Sequence, residues 1–300
     1  MPPSRKKLLI TGASGFLGWN LAREASPDWQ VCGTTFSQKL DDSGIASEKI
    51  DLRDFEALQQ FFHRIAPDAV IHTAADPNVC QVHRQESHQL NVTASANLAG
   101  LCSDRNIPFV FTSTDLVFDG KNAPYAETDP VSPLSVYGEQ KVAAETEIVR
   151  QHPGAAICRL PLMFGDPGPV AQSFLQPMLR HLSEGRVLNL FTDEYRSPTS
   201  GASAARGLLL ALETVSGILH LGGRERVSRY DFGLRVAQTF GLRAATITPS
   251  RQSDVQMPAP RPADVSLDST KAFRLGFSPL PLAQELAKVR DQIETSNRRV

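Results

Sequence analysis

A tyrosine and a lysine four residues apart are the pair in this sequence best suited to proton transfer. Tyr137 and Lys141 fall in a predicted helix at positions i and i+4, so their side chains share one face. A free phenol titrates near pH ~10 and is a poor acid or base at neutral pH. We expect the adjacent ammonium to favour the phenolate and lower the pKa of Tyr137. The phenol would then give a proton to a carbonyl oxygen as hydride reaches the carbon, or take one in the reverse direction.

A glycine-rich turn near the start of the chain predicts a site for the phosphates of a nucleotide. Residues 11–18 follow a short apolar strand and open a predicted helix, which is the context that gives this pattern its meaning. Gly12 permits the tight turn, Gly15 lets the backbone approach a pyrophosphate, and Gly18 lets the helix pack on the sheet. The unpaired amides at the helix start then face the phosphates.

The end of the second predicted strand should contact the adenosine ribose. In dinucleotide-binding folds an acid about 20 residues after the glycine turn binds the ribose 2′-hydroxyl and repels a 2′-phosphate. This segment instead carries hydroxyls, at Thr35 and Ser37, and a nearby cation, Lys39. The sequence therefore favours NADP over NAD. Asp51 and Leu52 follow the next strand and are placed to border the adenine, although a plain turn between strand and helix explains them equally well.

The order of predicted elements indicates an α/β fold. Apolar runs of strand length alternate with helical patterns up to Pro161, which predicts a Rossmann-type doubly wound parallel sheet. Prolines and glycines then break the alternation. We therefore expect an NAD(P)-binding domain over residues 1–162 and a smaller C-terminal substrate lobe, mainly over residues 163–300. An apolar run near residues 216–222 predicts a strand that returns to the first domain.

Three successive hydroxyls end the fifth predicted strand, at Thr112, Ser113 and Thr114. Ligands of open α/β sheets bind at the carboxyl ends of the strands. Thr114 is the best candidate for a hydroxyl that binds a substrate carbonyl, and Ser113 is a close competitor. Asp115 follows directly, and capping of a turn explains it as well as ligand binding does.

Together these motifs resemble the extended short-chain dehydrogenase/reductase family: TGxxGxxG at residues 11–18, the hydroxyl of Thr114, and YxxxK at residues 137–141. Within that family, several stretches are similar to the dTDP-4-dehydrorhamnose reductase branch, and they lie at residues 113–120, 132–138, 197–199 and 261–262. The resemblance covers nearly the whole chain. It implies NAD(P)H-dependent reduction of a 4-keto sugar nucleotide.

The resemblance also assigns roles to individual residues. Tyr137 would donate the proton, Lys141 would bind the nicotinamide ribose, Thr114 would orient the carbonyl, and Asn91 would support the lysine. The implied catalytic residues are Thr114, Tyr137, Lys141 and Asn91. The cofactor-binding candidates are Gly12, Ser14, Gly15, Phe16, Leu17, Gly18, Thr35, Ser37, Asp51, Leu52, Thr73, Ala74, Ala75, Tyr137 and Lys141. The substrate-binding candidates are Thr114, Asp115, Arg196 and Arg261.

Departures from the branch leave the sugar open. Leu116 stands where tyrosine is frequent, and Arg196 precedes the Ser-Pro-Thr stretch where a small residue is common. The same motifs also resemble a non-catalytic class, the regulatory β subunit of methionine adenosyltransferase, which binds NADP and a partner enzyme. A third alternative is a sugar-nucleotide epimerase, which would cycle a tightly held cofactor without net oxidation.

Composition narrows the choice of partners. The net charge is −1 and no basic stripe carries interleaved aromatic residues, so we expect no nucleic acid. No apolar run approaches the roughly 20 residues that span a bilayer, and the start of the chain lacks a signal-peptide core, so we expect a cytoplasmic protein. The four cysteines are widely spaced without a CxxC pair, which favours reduced core thiols over a metal site. Whether the chain forms a homodimer stays open.

Overall fold

A parallel sheet lies at the centre of the computed structural model, which describes residues 5–37, 40, 44–77, 80–257 and 260–297. The strands are β1 Lys7–Thr11, β2 Gln30–Thr35, β3 Ala46–Lys49, β4 Ala69–His72, β5 Phe109–Thr114, β6 Ala156–Leu160, β7 Met163–Phe164, β8 Leu188–Phe191, β9 Tyr195–Arg196, β10 Thr199–Ser200, β11 Gly217–His220, β12 Val227–Ser228 and β13 Ile247–Ser250. The helices are α1 Phe16–Ala25, α2 Phe55–Ile65, α3 Arg84–His88, α4 Ser95–Ser103, α5 Val136–Gln151, α6 Leu175–Ser183, α7 Gly201–Thr214, α8 Arg229–Thr239, α9 Thr270–Arg274 and α10 Leu282–Asn297.

The strand order confirms the predicted fold class. Within the described ranges the central sheet has seven strands, in the order β11-β6-β5-β4-β1-β2-β3, and the paired neighbours are all parallel. The direction of winding reverses between β1 and β4. That reversal opens a crevice at the carboxyl ends of these two strands, which is where doubly wound sheets bind their ligands.

Helices bury both faces of the sheet. On one face, Leu21 of α1 and Leu208 of α7 belong to the same apolar cluster as Ile10 of β1. On the other, Phe62 of α2 and Ile148 of α5 belong to a second apolar cluster. Burial on both faces explains why strands such as β4 and β5 are apolar almost without alternation.

The chain after β6 builds a further apolar cluster of its own. Phe164, Phe232, Val236 and Leu286 lie in it, brought together from β7, α8 and α10. The chain also goes back to the central sheet, because β11 pairs with β6 in parallel register. The domain boundary at residue 162 stays a prediction.

One long helical run precedes β5. The sequence predicts a helix over residues 84–105, and the structure has α3, a π-helical segment at Gln89–Ala94, and α4 in direct succession. A π-helical turn interrupts the ordinary hydrogen-bond ladder and is frequent at functional sites. This one carries the fully buried Asn91.

The described part of the chain holds neither a membrane-spanning helix nor a metal-binding group. None of its helices combines the length and the apolar character that a membrane crossing requires. Within the same residues, no three His, Cys, Asp or Glu side chains are grouped so as to hold a metal ion.

Candidate functional site

A cleft of about 430 Å³ lies at the carboxyl edge of the sheet, beside the point where the winding reverses. Its walls come from the glycine turn, the ends of β2 and β3, the chain after β4, and the helical run around the π-helical segment. The predicted cofactor residues that line it are Gly12, Ser14, Gly15, Thr35, Ser37, Asp51, Leu52, Thr73, Ala74 and Ala75. Eight further lining residues lie outside the prediction: Thr34, Phe36, Ile50, Arg53, Asp76, Glu86, Ser87 and Leu90.

The glycine turn has a geometry that only glycine satisfies. Gly12 has φ of +70°, and a Cβ added to it would lie 2.9 Å from Cα of Ala74. A Cβ on Gly18 would lie 2.2 Å from the carbonyl oxygen of Gly12. Helix α1 follows with no side-chain cap at Gly15 and no acid in its first turn. Its first amides are thus open to an anion, and the turn fits a pyrophosphate.

The side chains of Phe16 and Leu17, two further predicted residues of this turn, pack against the protein interior. The Phe16 ring packs beside Gly165 and Gly201, because a Cβ on Gly201 would lie 2.8 Å from Cζ of Phe16. Leu17 is buried in the apolar cluster under β1. These two side chains hold α1 in place, and their contribution to a bound phosphate is limited to the main chain.

An ion pair borders the adenosine end of the cleft. Arg53 binds the Asp51 carboxylate through Nε at 2.9 Å and through Nη2 at 2.7 Å. The same guanidinium lies 5.3 Å from the centre of the Phe36 ring. The hydrogen bond from Arg53 lowers the pKa of Asp51. Lys39, the cation that the sequence places here, lies outside the described residues.

The start of helix α5 brings Tyr137 next to the end of β5. Ser135 caps the helix by accepting a hydrogen bond of 3.2 Å from the amide of Gly138. A Cβ on Gly138 would lie 2.3 Å from the carbonyl oxygen of Leu116, so the first turn of the helix rests on the main chain just after Thr114. Glycine at this position permits the approach.

Lys141 is buried one turn further along α5. Its Nζ donates a hydrogen bond of 2.8 Å to the carbonyl oxygen of Thr112 and lies 4.4 Å from the centre of the Phe111 ring. The same atom lies 5.7 Å from the centre of the Tyr137 ring. Burial lowers the pKa of Lys141 to about 7, although the carboxylate of Glu145 opposes the shift.

The phenol of Tyr137 behaves differently from the sequence prediction. Burial raises the pKa of Tyr137, and the nearby carboxylate of Asp115 raises it further. The prediction that Lys141 lowers the pKa of Tyr137 is wrong for the protein without a cofactor. Desolvation of the phenol outweighs the attraction of the lysine, because Lys141 itself is only partly charged at neutral pH. The phenol therefore stays protonated at neutral pH, which suits a proton donor.

Thr114 and Ser113 separate at the strand end. The hydroxyl of Thr114 donates to Oδ1 of Asp115 at 3.2 Å and accepts from the amide of Leu116. Ser113 instead donates to Oε1 of Glu145 at 2.5 Å, in a buried cluster that Arg159 completes. The hydroxyl of Ser113 is thus engaged in a buried ion-pair cluster, whereas that of Thr114 lies beside Asp115 at the strand end.

Asn91 makes contacts that the sequence does not indicate. Its Oδ1 accepts a hydrogen bond of 3.1 Å from the amide of Asp76, and its Nδ2 donates to Oε1 of Gln140 at 2.9 Å. Within the described residues no direct hydrogen bond joins it to Lys141. Asn91 therefore orders the wall of the cleft, and its support of Lys141 stays a prediction.

Arginines of the C-terminal region converge on one buried carboxylate near Asp115. Glu194 is fully buried, and its Oε1 lies 3.0 Å from Arg261, 3.2 Å from Arg229 and 3.4 Å from Arg196. We call these four residues the arginine cluster. Glu194 directly precedes β9, and no sequence signal marks it as the partner of these arginines. Arg229 carried no such signal either.

Asp115 connects this cluster to Thr114. Its Oδ2 lies 3.6 Å from Nε of Arg196 and, within the described residues, is buried without a hydrogen-bond partner. Burial raises the pKa of Asp115 to about 6, although Arg196 opposes the shift. The buried Nη1 of Arg229 likewise lacks a partner among the described residues. Three guanidinium groups thus face two carboxyl groups.

Comparison with known proteins places this geometry in a family. The model of the family described as RmlD substrate binding domain matches residues 6–295. The chain belongs to this family. The resemblance drawn from the sequence motifs is thereby confirmed, and the RmlD family match extends through both the sheet and the C-terminal region.

Relatives of this RmlD family member carry two different kinds of name. It is 30% identical over 283 residues to methionine adenosyltransferase 2 subunit beta of Danio rerio, covering 91% of this chain and 86% of that protein. It is 31% identical over 285 residues to a probable low-salt glycan biosynthesis reductase of Haloferax volcanii, covering 93% and 95%. Among solved structures, a dTDP-4-dehydrorhamnose reductase from Clostridium acetobutylicum aligns with a TM-score of 0.83 at 25% identity, covering 96% and 99%.

Proposed function

We propose that the chain is an NAD(P)H-dependent reductase of a keto group in a sugar nucleotide. The observation that carries the proposal is that three groups come together where β5 ends and α5 begins: the protonated phenol of Tyr137, the buried ammonium of Lys141 and the hydroxyl of Thr114. This is the arrangement that protonation of a carbonyl oxygen needs. Its relative from Haloferax volcanii is named a reductase.

The residues of the cleft fit a nicotinamide dinucleotide. The glycine turn would hold the pyrophosphate, and Ala74 and Ala75 would leave room beside the sheet edge. When bound, the reduced cofactor supplies hydride to the carbonyl carbon. We favour NADP, because Thr35 and Ser37 line the cleft with hydroxyls and Arg53 adds a cation at the adenosine end.

The chain's own groups then manage the proton. Lys141 would bind the nicotinamide ribose, and a pKa of about 7 allows its ammonium to be present at neutral pH. The hydroxyl of Thr114 would donate to the carbonyl oxygen and orient it. Tyr137 would transfer its phenolic proton to that oxygen, and ionisation of the phenol would be favoured by Lys141 once it is charged.

The arginine cluster supports a substrate that carries negative charge. Its guanidinium groups outnumber the carboxyl groups around them, and Arg261 keeps 42% of its side chain exposed. Planar guanidinium forks bind phosphate oxygens with two hydrogen bonds. A sugar joined to a nucleoside diphosphate would supply the phosphates for the arginines and, with the sugar toward Thr114, the carbonyl for reduction. We propose a 4-keto-6-deoxy sugar of this type as the substrate.

Turnover decides the proposal. Oxidation of NADPH or NADH should be followed at 340 nm with dTDP-4-dehydrorhamnose and related dTDP- and UDP-4-keto sugars. We expect steady oxidation with one of them, and at least a tenfold rise in KM, without an equal fall in kcat, in Arg261→Gln. Cofactor binding without turnover of any of them would refute the reductase proposal.

The regulatory alternative has one specific observation in its favour. Relatives named methionine adenosyltransferase 2 subunit beta match this chain at an identity close to that of the named reductase. A regulatory subunit would bind NADP, form a stable complex with a methionine adenosyltransferase, and alter the kinetics of that enzyme. Size-exclusion chromatography of the mixed proteins separates this outcome from the catalytic one.

A further inference from the structure

The buried amide of Gln140 joins helix α5 to the chain that follows β4. Its Nε2 donates to Oγ of Ser87 at 2.8 Å and to the carbonyl oxygen of Arg84 at 3.2 Å. Its Oε1 accepts from Nδ2 of Asn91 at 2.9 Å and lies 3.5 Å from Sγ of Cys80. A glutamine amide has two N–H groups and one carbonyl oxygen, and each of these groups has a partner.

A second layer of hydrogen bonds carries this connection to Asp76. Oδ1 of Asn91 accepts from the amide of Asp76 at 3.1 Å, and Sγ of Cys80 donates to the carbonyl oxygen of Asp76 at 2.9 Å. The main chain of Asp76 is thus held at both polar atoms by partners of Gln140. Asp76 and Ser87 both line the cleft. We call Asp76, Cys80, Ser87, Asn91 and Gln140 the wall network.

Loss of hydrogen bonds in the wall network leaves buried polar groups without partners. The side chains of Gln140, Asn91, Cys80 and Ser87 are all at most 4% exposed. A buried amide that loses its partners destabilises the fold, because no water replaces them. Each buried group of the network therefore restrains its neighbours.

The position of Gln140 gives the network a functional meaning. Gln140 directly precedes Lys141 and lies one turn after Tyr137 on α5. The opposite end of the network lies on the wall against which the dinucleotide would rest. We propose that Gln140 is a positioning residue, which keeps the wall of the cofactor cleft in register with the helix that carries Tyr137 and Lys141. This inference rests on the proposed dinucleotide site, and it assigns Gln140 no contact with cofactor or substrate.

Leucine at position 140 removes all hydrogen bonds of the side-chain amide at nearly constant volume. Gln140→Leu is therefore compared with Gln151→Leu, the same change at the last residue of the same helix. Ser87→Ala removes a single bond of the network and serves as a milder variant in case Gln140→Leu folds poorly. The first readout is amide hydrogen exchange of residues 80–90 in the protein without ligand. We expect about tenfold faster exchange in Gln140→Leu, as for the loss of roughly 1.4 kcal/mol, and no change in Gln151→Leu.

The second readout is the Kd of NADPH, from fluorescence titration, together with the KM and kcat of turnover. We expect Gln140→Leu to raise the Kd and KM of the cofactor about tenfold and to leave kcat at saturating cofactor within about threefold, because bound cofactor restores the wall. Ser87→Ala should give a smaller increase, and the double variant should be no worse than Gln140→Leu alone.

The outcomes separate cleanly. Unchanged exchange in Gln140→Leu would show that Gln140 does not hold the wall. Faster exchange with an unchanged cofactor Kd would show a purely structural network and would overturn the positioning role. A wild-type protein that binds neither NADPH nor NADH would refute the proposed function instead, while the exchange experiment would still decide whether the wall depends on Gln140.

Discussion

Lys141 and Thr112 are joined by a hydrogen bond of 2.8 Å from the buried ammonium to a main-chain carbonyl of the central strand. The contact ties α5 to β5 two residues before Thr114, where the strand ends. A charge in this position is costly, because burial removes water from it and the carbonyl returns only part of the loss. The lysine therefore affects both the stability and the chemistry of the protein.

Replacing Lys141 by methionine should change how stability depends on pH. The folded pKa of about 7 lies below the value of 10.5 for a free lysine, so the unfolded chain binds more protons between these limits. The stability of the wild-type protein should therefore rise with pH through that window. Lys141→Met should lack this rise and should be more stable than wild type at pH 6, by on the order of 3 kcal/mol, while losing turnover. Urea unfolding at pH 6 and pH 9.5 measures the difference, with the exposed Lys121→Met as control, and parallel curves would contradict the assignment.

Tyr137→Phe should abolish proton donation and little else. We expect kcat to fall by about 10²–10⁴, because a phenol that is protonated at neutral pH is removed. The Kd of NADPH should stay within about threefold, since the ring and its packing remain. Steady-state rates and cofactor titration of the same preparation give both numbers. A variant with near wild-type kcat would show that another group supplies the proton.

Gly18→Ala should prevent the glycine turn from closing. The added Cβ would lie 2.2 Å from the carbonyl oxygen of Gly12, and main-chain atoms cannot move aside cheaply. We expect cofactor affinity to fall at least tenfold, with a lower melting temperature. Gly100→Ala is the control, because its Cβ would meet its nearest neighbour at an ordinary 3.9 Å in the middle of α4. That change should stabilise the protein by up to about 1 kcal/mol.

Asp115→Asn should remove a titration near pH 6. The pKa of Asp115 is about 6, above the ordinary 3.8, so its ionised form appears only above that pH. We expect kcat/KM for the sugar nucleotide to rise through pH 6 in the wild-type protein, since under the proposed function the carboxylate pairs with Arg196 and would accept a hydrogen bond from the substrate. The pH profile of Asp115→Asn should be flat in this range. A persistent step at pH 6 would assign the titration to another group.

The pH dependence of the stability of Asp115→Asn provides an independent test of the same pKa. Because the folded pKa of Asp115 is raised, the unfolded chain releases its proton first, and the carboxyl group costs stability as pH rises from about 4 to above 6. Asp115→Asn should therefore be more stable than wild type at pH 8 and similar to it at pH 4. Thermal unfolding at the two pH values tests the sign.

Thr35→Asp should shift cofactor preference toward NAD. Thr35 ends β2 and lines the cleft, at the point where a carboxylate would bind a ribose 2′-hydroxyl and repel a 2′-phosphate. We expect the ratio of the Kd values for NADPH and NADH to rise at least tenfold. An unchanged ratio would place the 2′ position elsewhere.

Sequence reasoning succeeds where the signal is local. The glycine turn depends on spacing within one strand, turn and helix, so the amino-acid sequence alone is enough to assign Gly12 and Gly18. The pairing of Tyr137 with Lys141 follows in the same way from helical spacing.

What failed depends on contacts between distant segments. The pKa of Tyr137 shifts upward through burial, which no spacing reveals. The hydrogen bond from Ser113 to Glu145 joins residues 32 positions apart, and no local pattern indicates it. Gln140 and Ser87 are 53 residues apart, and their hydrogen bond exists only because the sheet brings α5 and the chain after β4 together.

The pairing of β11 with β6 constrains how the chain can be divided. A fragment ending at residue 162 would contain β6 without its neighbour, and the outer main-chain amides and carbonyls of that strand would be exposed along a flat, apolar edge. Such edges pair readily with other chains. The fragment of residues 1–162 expressed alone should therefore self-associate, and a fragment that folds as a monomer must supply residues 217–220 as well.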